Sequence, residues 1–379
     1  MEFMQVDRET CESLIPGLLG ALSDVPFTEL ESESGPAIGI FRDHGGSNLL
    51  VPAAFGGQDA TALQAARVVR ALGAVAPSLS VATAMHHFSI GTLFGVADTF
   101  AAGTDLDDML LKRVAAERLL VCSAFAEGRT NQGILTPTMQ ARPVDGGYLL
   151  TGSKKPCSLS RSMDLITASV GMPQPDGSSE MGFLILPADT PGISIHPFWN
   201  TPVLVGAESN ELRLDDVFVT GRQILQPPAE LAEALSELQE VGLIWFQMIV
   251  CAAYTGMASS LVDRVLRRGR GAPADRAQLA MTIETAAHLT EGLARRVMDD
   301  DTDNDGLAAA LVSRFAVQRL IAEATAQAVE LLGGMAFISS SDVAYLAAAT
   351  RAIAFHPPSR TSTLDGLLDY WTGQPLVVA

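Results

Sequence analysis

Residues 121–158, VCSAFAEGRTNQGILTPTMQARPVDGGYLLTGSKKPCS, are the long segment of this 379-residue chain that reads as strand and turn rather than helix. The cluster Asp145-Gly146-Gly147 separates two alternating runs, 139–142 and 148–151, and offers the φ > 0 positions a tight hairpin needs. The same texture continues through short runs at 165–170, 182–186, 193–196 and 211–214. Pro175-Asp176-Gly177 and Asp189-Thr190-Pro191-Gly192 part them. Several strands at this spacing predict a compact β-barrel or sandwich.

On both sides of this island the period changes to that of a helix. Upstream, residues 6–22 carry helical spacing up to a break at Ser23-Asp24-Val25-Pro26, and Leu63, Ala66, Val69 and Leu72 place one apolar face on a second helix. Residues 81–97 are apolar nearly all round, which predicts a central helix. Downstream, helical patterns cover 230–267, 276–298, 306–332 and 341–354, and no element is assigned after that. The expected architecture is α+β: an N-terminal helical domain (1–118), a middle β-domain (119–224) and a C-terminal four-helix-bundle domain (225–379).

A net charge of −18 argues against a nucleic-acid partner, which requires a basic face, but leaves room for a phosphate-bearing cofactor held locally. Cys11, Cys122, Cys157 and Cys251 form no CxxC pair, so they read as buried free thiols with no metal site. The polar start MEFMQVDRETCES predicts no signal peptide. The longest apolar run, 243–257, is interrupted by Gln247 and too short for a membrane span, so a cytoplasmic protein without a membrane partner is expected.

Neither GxGxxG nor GxxxxGK[ST] occurs, so no Rossmann or P-loop site is expected. Asp301, Asp303 and Asp305 mimic the front of a calcium loop, but its twelfth position would be Val312; capping of the next helix is the expectation. His86 and His87 point about 100° apart on a helix and cannot share one site. Gly333-Gly334 reads as a helix C-cap or as a close approach to a phosphate. His356, ahead of Pro357-Pro358, reads either as a residue favoured by the helix dipole or as an acid or base held toward a pocket.

Five segments in order then carry a resemblance: LLVPAAFGG, the FAE of Phe125-Ala126-Glu127, DGGYLLTGSKKPCS, LRLDDVFV and AVELLGGMAF. Together they resemble the acyl-CoA dehydrogenase family of flavoproteins over nearly the whole chain. The resemblance implies FAD held between the β-domain, the C-terminal bundle and a neighbouring subunit of a homodimer or homotetramer. It implies that Phe125, Ala126 and Glu127 line the flavin ring and that Ser158 stands for the hydroxyl residue bonding flavin N5. Gly333 and Gly334 would approach the diphosphate, and Arg267 would reach FAD across the dimer.

The departures concern the reaction. Pro156 stands where the family has a flavin-stacking Trp, Arg270 where it has Phe, and Glu330 where it has Gln. The family's catalytic Glu is missing at both of its usual places, which here hold Phe246-Gln247 and Phe355-His356-Pro357-Pro358. The preferred expectation is α,β-dehydrogenation of an acyl thioester on CoA or an acyl-carrier protein, with His356 as acid or base and an electron-acceptor flavoprotein as partner. An alternative is a monooxygenase of the same fold using O2 and loosely bound reduced flavin, FAD or FMN, from a flavin reductase, with His87 as a substrate acid or base. A degenerate homologue retained as a complex subunit is the third reading.

Overall fold

The computed structural model describes residues 2–100, 108–128, 137–174, 176–225 and 232–378. Residues 129–136 of the opening stretch, the turn residue Pro175 and the expected helix start at 230 lie outside them.

The N-terminal helices are α1 (Gln5–Leu14), α2 (Leu18–Ser23), α3 (Phe27–Leu30), α4 (Ala37–Asp43), α5 (Ala62–Val75), α6 (Pro77–Phe100) and α7 (Asp108–Ala116). Thr61 starts α5 with a capping box, its hydroxyl accepting from the Gln64 N–H while the Gln64 side chain accepts from the Thr61 N–H. The strands follow: β1 (Val121–Ala124), β2 (Gln140–Val144), β3 (Gly147–Cys157), β4 (Leu165–Pro173), β5 (Ser179–Pro187), β6 (Ile193–His196), β7 (Asn210–Val219) and β8 (Ile224–Leu225). After them come α8 (Ala232–Arg267), α9 (Pro273–Met298), α10 (Asn304–Leu332), α11 (Gly334–Ser339), α12 (Ser341–Ala349), a 3-10 turn over Thr350–Phe355 and α13 (Arg360–Trp371).

The strands form one curled sheet in the order β6-β7-β3-β2-β4-β5-β8. Both β1 and β2 pair in parallel with β4. β3 is longer than its alternation suggests because register shifts between Leu150 and Gly152 and between Lys154 and Cys157 break the two-residue period. α13 was not expected: Thr-rich and interrupted by Gly366, it has weak helix propensity. Ser359 nevertheless caps it, its hydroxyl accepting from the Ser362 N–H at 3.1 Å.

The helices before and after the sheet pack on each other through α5, α6 and α8. At the crossing of α5 and α8, a Cβ on Gly73 would come 2.2 Å from the Ala253 carbonyl, and one on Gly256 2.1 Å from that of Arg70. Backbones approach this closely only where both helices lack a side chain. Among the described residues one helix segment, Gln239–Arg267, is long and apolar enough to cross a membrane; most of it is buried inside the fold. All four cysteines are free and buried. Asp303 caps α10, accepting from the Gly306 N–H at 3.0 Å.

Candidate active site

A cavity of about 660 Å³ lies between the sheet, α6 and α8. α6 lines it with Val81, Met85, Phe88 and Thr92, a stripe at three- and four-residue spacing. α8 adds Gly242, Phe246 and Tyr254 from one of its own faces. From the sheet, Ser123 on β1 is paired with Thr167 on β4, and Thr167 with Ile185 on β5. Residues directly opposite point to the same side, so these three form a row on the cavity wall.

Phe125, Ala126 and Glu127 follow β1 along the wall. The Phe125 ring tilts against Phe183, centroids 5.7 Å apart. The Lys155 N–H donates to the Ala126 carbonyl at 2.8 Å, fastening the segment to the end of β3. Gly128 completes the fit: its φ is +64°, and a Cβ there would meet Lys155 Cγ at 2.3 Å. The Glu127 carboxylate is already engaged, accepting from Lys154 Nζ and from the Thr138 hydroxyl at 2.5 Å. Lys154 is wholly buried and also donates to Ser169 Oγ at 2.9 Å. Burial lowers the Lys154 pKa while its bond to Glu127 holds it up.

Pro156 and Ser158 line the same wall. Ser158 Oγ lies 3.0 Å from Ser209 Oγ, also on the wall, so one bond joins two hydroxyls and one proton remains for a ligand.

His356 enters from the opposite side. Its Nε2 is 2.9 Å from the Tyr254 hydroxyl, and its ring meets Phe246 edge-on at 5.8 Å. Burial, and then the Arg314 guanidinium, depress its pKa to about 3, so the imidazole is neutral at ordinary pH. Burial raises the Tyr254 pKa, so the phenol keeps its proton. Gln247 Nε2 donates to the Pro357 carbonyl at 3.3 Å, and Phe355, 83% exposed, stands at the rim.

The other expected site residues do not line this cavity in the single chain. His87 is wholly buried, edge-on to Phe41 at 5.8 Å, and neither ring nitrogen has a partner. Its neighbour His86 accepts from the Val121 N–H through Nδ1 at 3.1 Å, so its Nε2 carries the proton donated to the Ser47 carbonyl at 2.8 Å. Arg267 is 65% exposed and paired with Asp263, and Arg270 and Glu330 are exposed. Gly333, at φ +83°, ends α10 and Gly334 begins α11; a Cβ on either would meet open space.

Sequence reasoning passed over Tyr254, Phe183, Trp199, Ser209 and the buried Lys154 and Arg314. The helical spacing from Phe246 to Tyr254 was the available signal for one of them. Among the described residues no cluster of His, Cys, Asp and Glu could hold a metal ion.

No family model matches the chain. Isobutylamine N-hydroxylase of Streptomyces viridifaciens is 49% identical over 378 residues, covering 100% of both chains. Dibenzothiophene monooxygenase of Rhodococcus erythropolis is 27% identical over 234 residues, 59% of this chain and 52% of that one. Among solved structures, FMN-bound TdsC from Paenibacillus sp. A11-2 aligns with a TM-score of 0.78 at 17% identity, covering 99% of this chain and 98% of that one, a likeness of fold.

The full-length match overturns the expectation of acyl-thioester dehydrogenation at a CH–CH bond, and with it support for an acyl-CoA or acyl-carrier substrate. The physical reason is visible in the cavity. The missing base is not replaced, because Glu127, the one carboxylate on the wall among the described residues, is bound by Lys154. The relatives agree instead with the oxygen-using alternative.

Proposed function

This chain belongs to the family of isobutylamine N-hydroxylase, flavin-dependent oxidoreductases on an acyl-CoA dehydrogenase-like fold, and we propose that it hydroxylates the nitrogen of a small, apolar primary amine. The reduced flavin, FAD or FMN, would come from a separate flavin reductase. The observation that carries this reading is a cavity with apolar flanks whose charged side chains are already paired, Glu127 with Lys154 and Lys155 with Glu211, leaving neutral groups to meet a ligand: the hydroxyls of Ser158 and Ser209 on one side, the His356–Tyr254 pair on the other.

These residues fit a flavin ring. Phe125 and Phe183 offer apolar surface for its body, and Ser158 with Ser209 offers a hydroxyl proton for its polar edge. When bound, reduced flavin supplies the two electrons that split O2, so that amine, O2 and reduced flavin give hydroxylamine, water and oxidised flavin. The protein's part is placement. Apolar walls exclude water, and they favour the free amine, whose lone pair is the nucleophile, over the ammonium ion. The neutral His356 ring gives the amine a hydrogen-bonding partner that carries no charge to repel it.

We further propose that the enzyme is a homo-oligomer in which Arg267, Gly333 and Gly334 serve the flavin of a neighbouring copy. The exposed Met335, Phe337 and Ile338 of α11, next to the two glycines, support that reading. The test is to mix the protein with anaerobically reduced FMN or FAD, then with ¹⁸O2 and isobutylamine. An N-alkylhydroxylamine carrying one ¹⁸O is expected; its absence across a panel of aliphatic amines would sink the proposal.

A further inference from the structure

Arg314 on α10 heads the largest wholly buried side chains of the described residues, at 1% exposure, and no carboxylate is among its partners. Its Nη1 donates to Gln318 Oε1 at 2.9 Å, and its Nη2 to the Ile353 carbonyl and, at 3.3 Å, to that of His356. Nε finds no acceptor. Burying a cation among neutral groups costs several kcal/mol, so the fold retains it against a penalty.

The two carbonyls explain part of that retention. Ile353 lies in the Thr350–Phe355 turn and His356 directly follows it, where helical geometry leaves acceptors without donors and where the dipole favours a cation. A cap alone, however, would not require the charge to lie beside a cavity-lining imidazole. The titratable groups facing His356 from α8 are Tyr254 and, next to Arg314, Cys251; burial raises both and keeps them neutral. Across the cavity, Glu127 is taken up by Lys154. Among the described residues no carboxylate pairs with the guanidinium.

We propose that Arg314 is a positioning residue for His356: it ties the carbonyls of Ile353 and His356 to α10 and sets an uncancelled positive charge beside the imidazole. The ring then meets the cavity in one orientation, as a hydrogen-bonding group and not as a stored proton. Arginine suits the task where lysine does not, because guanidinium keeps its charge when buried and its planar fork spans two acceptors, whereas a buried ammonium readily loses its proton. The catalytic consequence rests on the N-hydroxylase reading; the positioning does not.

The test uses flavin-free, ¹⁵N-histidine-labelled protein, with the His356 ring signals assigned by comparison with H356N. In the wild type His356 stays unprotonated at pH 5. In Arg314→Met its pKa rises by at least about one unit, and Arg314→Lys behaves like the methionine variant. With reduced flavin, O2 and isobutylamine, kcat falls by about ten- to a hundredfold in both variants while KM changes less than about twofold. A folded R314M in which His356 titrates as in the wild type overturns the proposal. Should R314M not fold, Arg314→Gln, which keeps a donor for the carbonyls without the charge, is read in its place by the same outcomes, and a wild-type His356 that protonates near 6.5 overturns the proposal whatever the variants do. If His356 shifts as expected but the wild type yields no hydroxylamine, the proposed reaction fails and the role of Arg314 stands.

Discussion

On the sheet side of the cavity Lys154 is wholly buried and bonds the Glu127 carboxylate; on the helical side Arg314 is as deeply buried and bonds only neutral acceptors. The first arrangement cancels a charge within the wall. The second leaves a charge in place and steadies it with carbonyls. A buried ion pair is neutral as a unit but fragile when halved, because the survivor is stranded without water. A lone guanidinium has no such survivor: its removal leaves only carbonyls short of a donor.

The largest expected effect follows from that difference. Glu127→Gln should destabilise the protein by about 3–5 kcal/mol in urea unfolding, because Lys154 loses its charge partner in a dry site. The double variant E127Q/K154M should recover most of that loss. Arg314→Met should cost less, about 1–3 kcal/mol, as expected for unpaired carbonyls alone. Equal losses for E127Q and R314M would erase the distinction between the two walls.

The histidines sharpen the comparison from another side. His86 joins α6 to β1 on the sheet side, and burial holds its pKa at about 4; His356 on the helical side is held at about 3. Both folded values lie below that of the unfolded chain, so the stability they contribute is present above about pH 6.5 and is lost as pH falls toward 4. Between pH 7.5 and 5, His86 and His356 should each account for about 2 kcal/mol of lost stability, and the wholly buried His87, also depressed by burial, adds to it. Glu31 and Asp7, raised by burial, titrate in the opposite direction and oppose part of the loss. Urea unfolding at the two pH values checks the sum. A His86→Gln variant that keeps the full pH dependence would show that His86 is not its source.

How much of this was legible in the sequence differs between the walls. Two short segments of the sheet wall are legible: Phe125 to Glu127 and Pro156 to Ser158 lie at the ends of strands that alternation and turn chemistry reveal. The helical wall is assembled from Phe246, Tyr254, Arg314 and His356, brought together by packing of α8, α10 and a 3-10 turn. Periodicity marks such residues as core without saying which of them meet. The engagement of Glu127 by Lys154 was likewise invisible, since two register shifts along β3 obscure which side chains face inward. The reaction was misread because resemblance to a parent family carries the fold further than the chemistry. The missing carboxylate at 246–247 and 355–358 was the sequence feature that pointed elsewhere.

The smallest effect divides the walls most finely. Each presents one neutral hydrogen-bonded pair: Ser158 with Ser209 at 3.0 Å, and Tyr254 with His356 at 2.9 Å. Ser209→Ala and Tyr254→Phe should each cost about 1 kcal/mol in stability, since each removes one hydrogen bond and little volume. Their effects on turnover should differ. S209A frees the Ser158 hydroxyl to turn toward a ligand, so flavin affinity should change while kcat is preserved. Y254F leaves His356 Nε2 without its phenol and removes the contact that selects the ring's rotation, so kcat should fall while flavin affinity is preserved. Flavin titration of the protein and steady-state hydroxylamine formation separate the two outcomes. If S209A lowers kcat and Y254F weakens flavin binding, the assignment of cofactor to the sheet wall and amine to the helical wall is reversed.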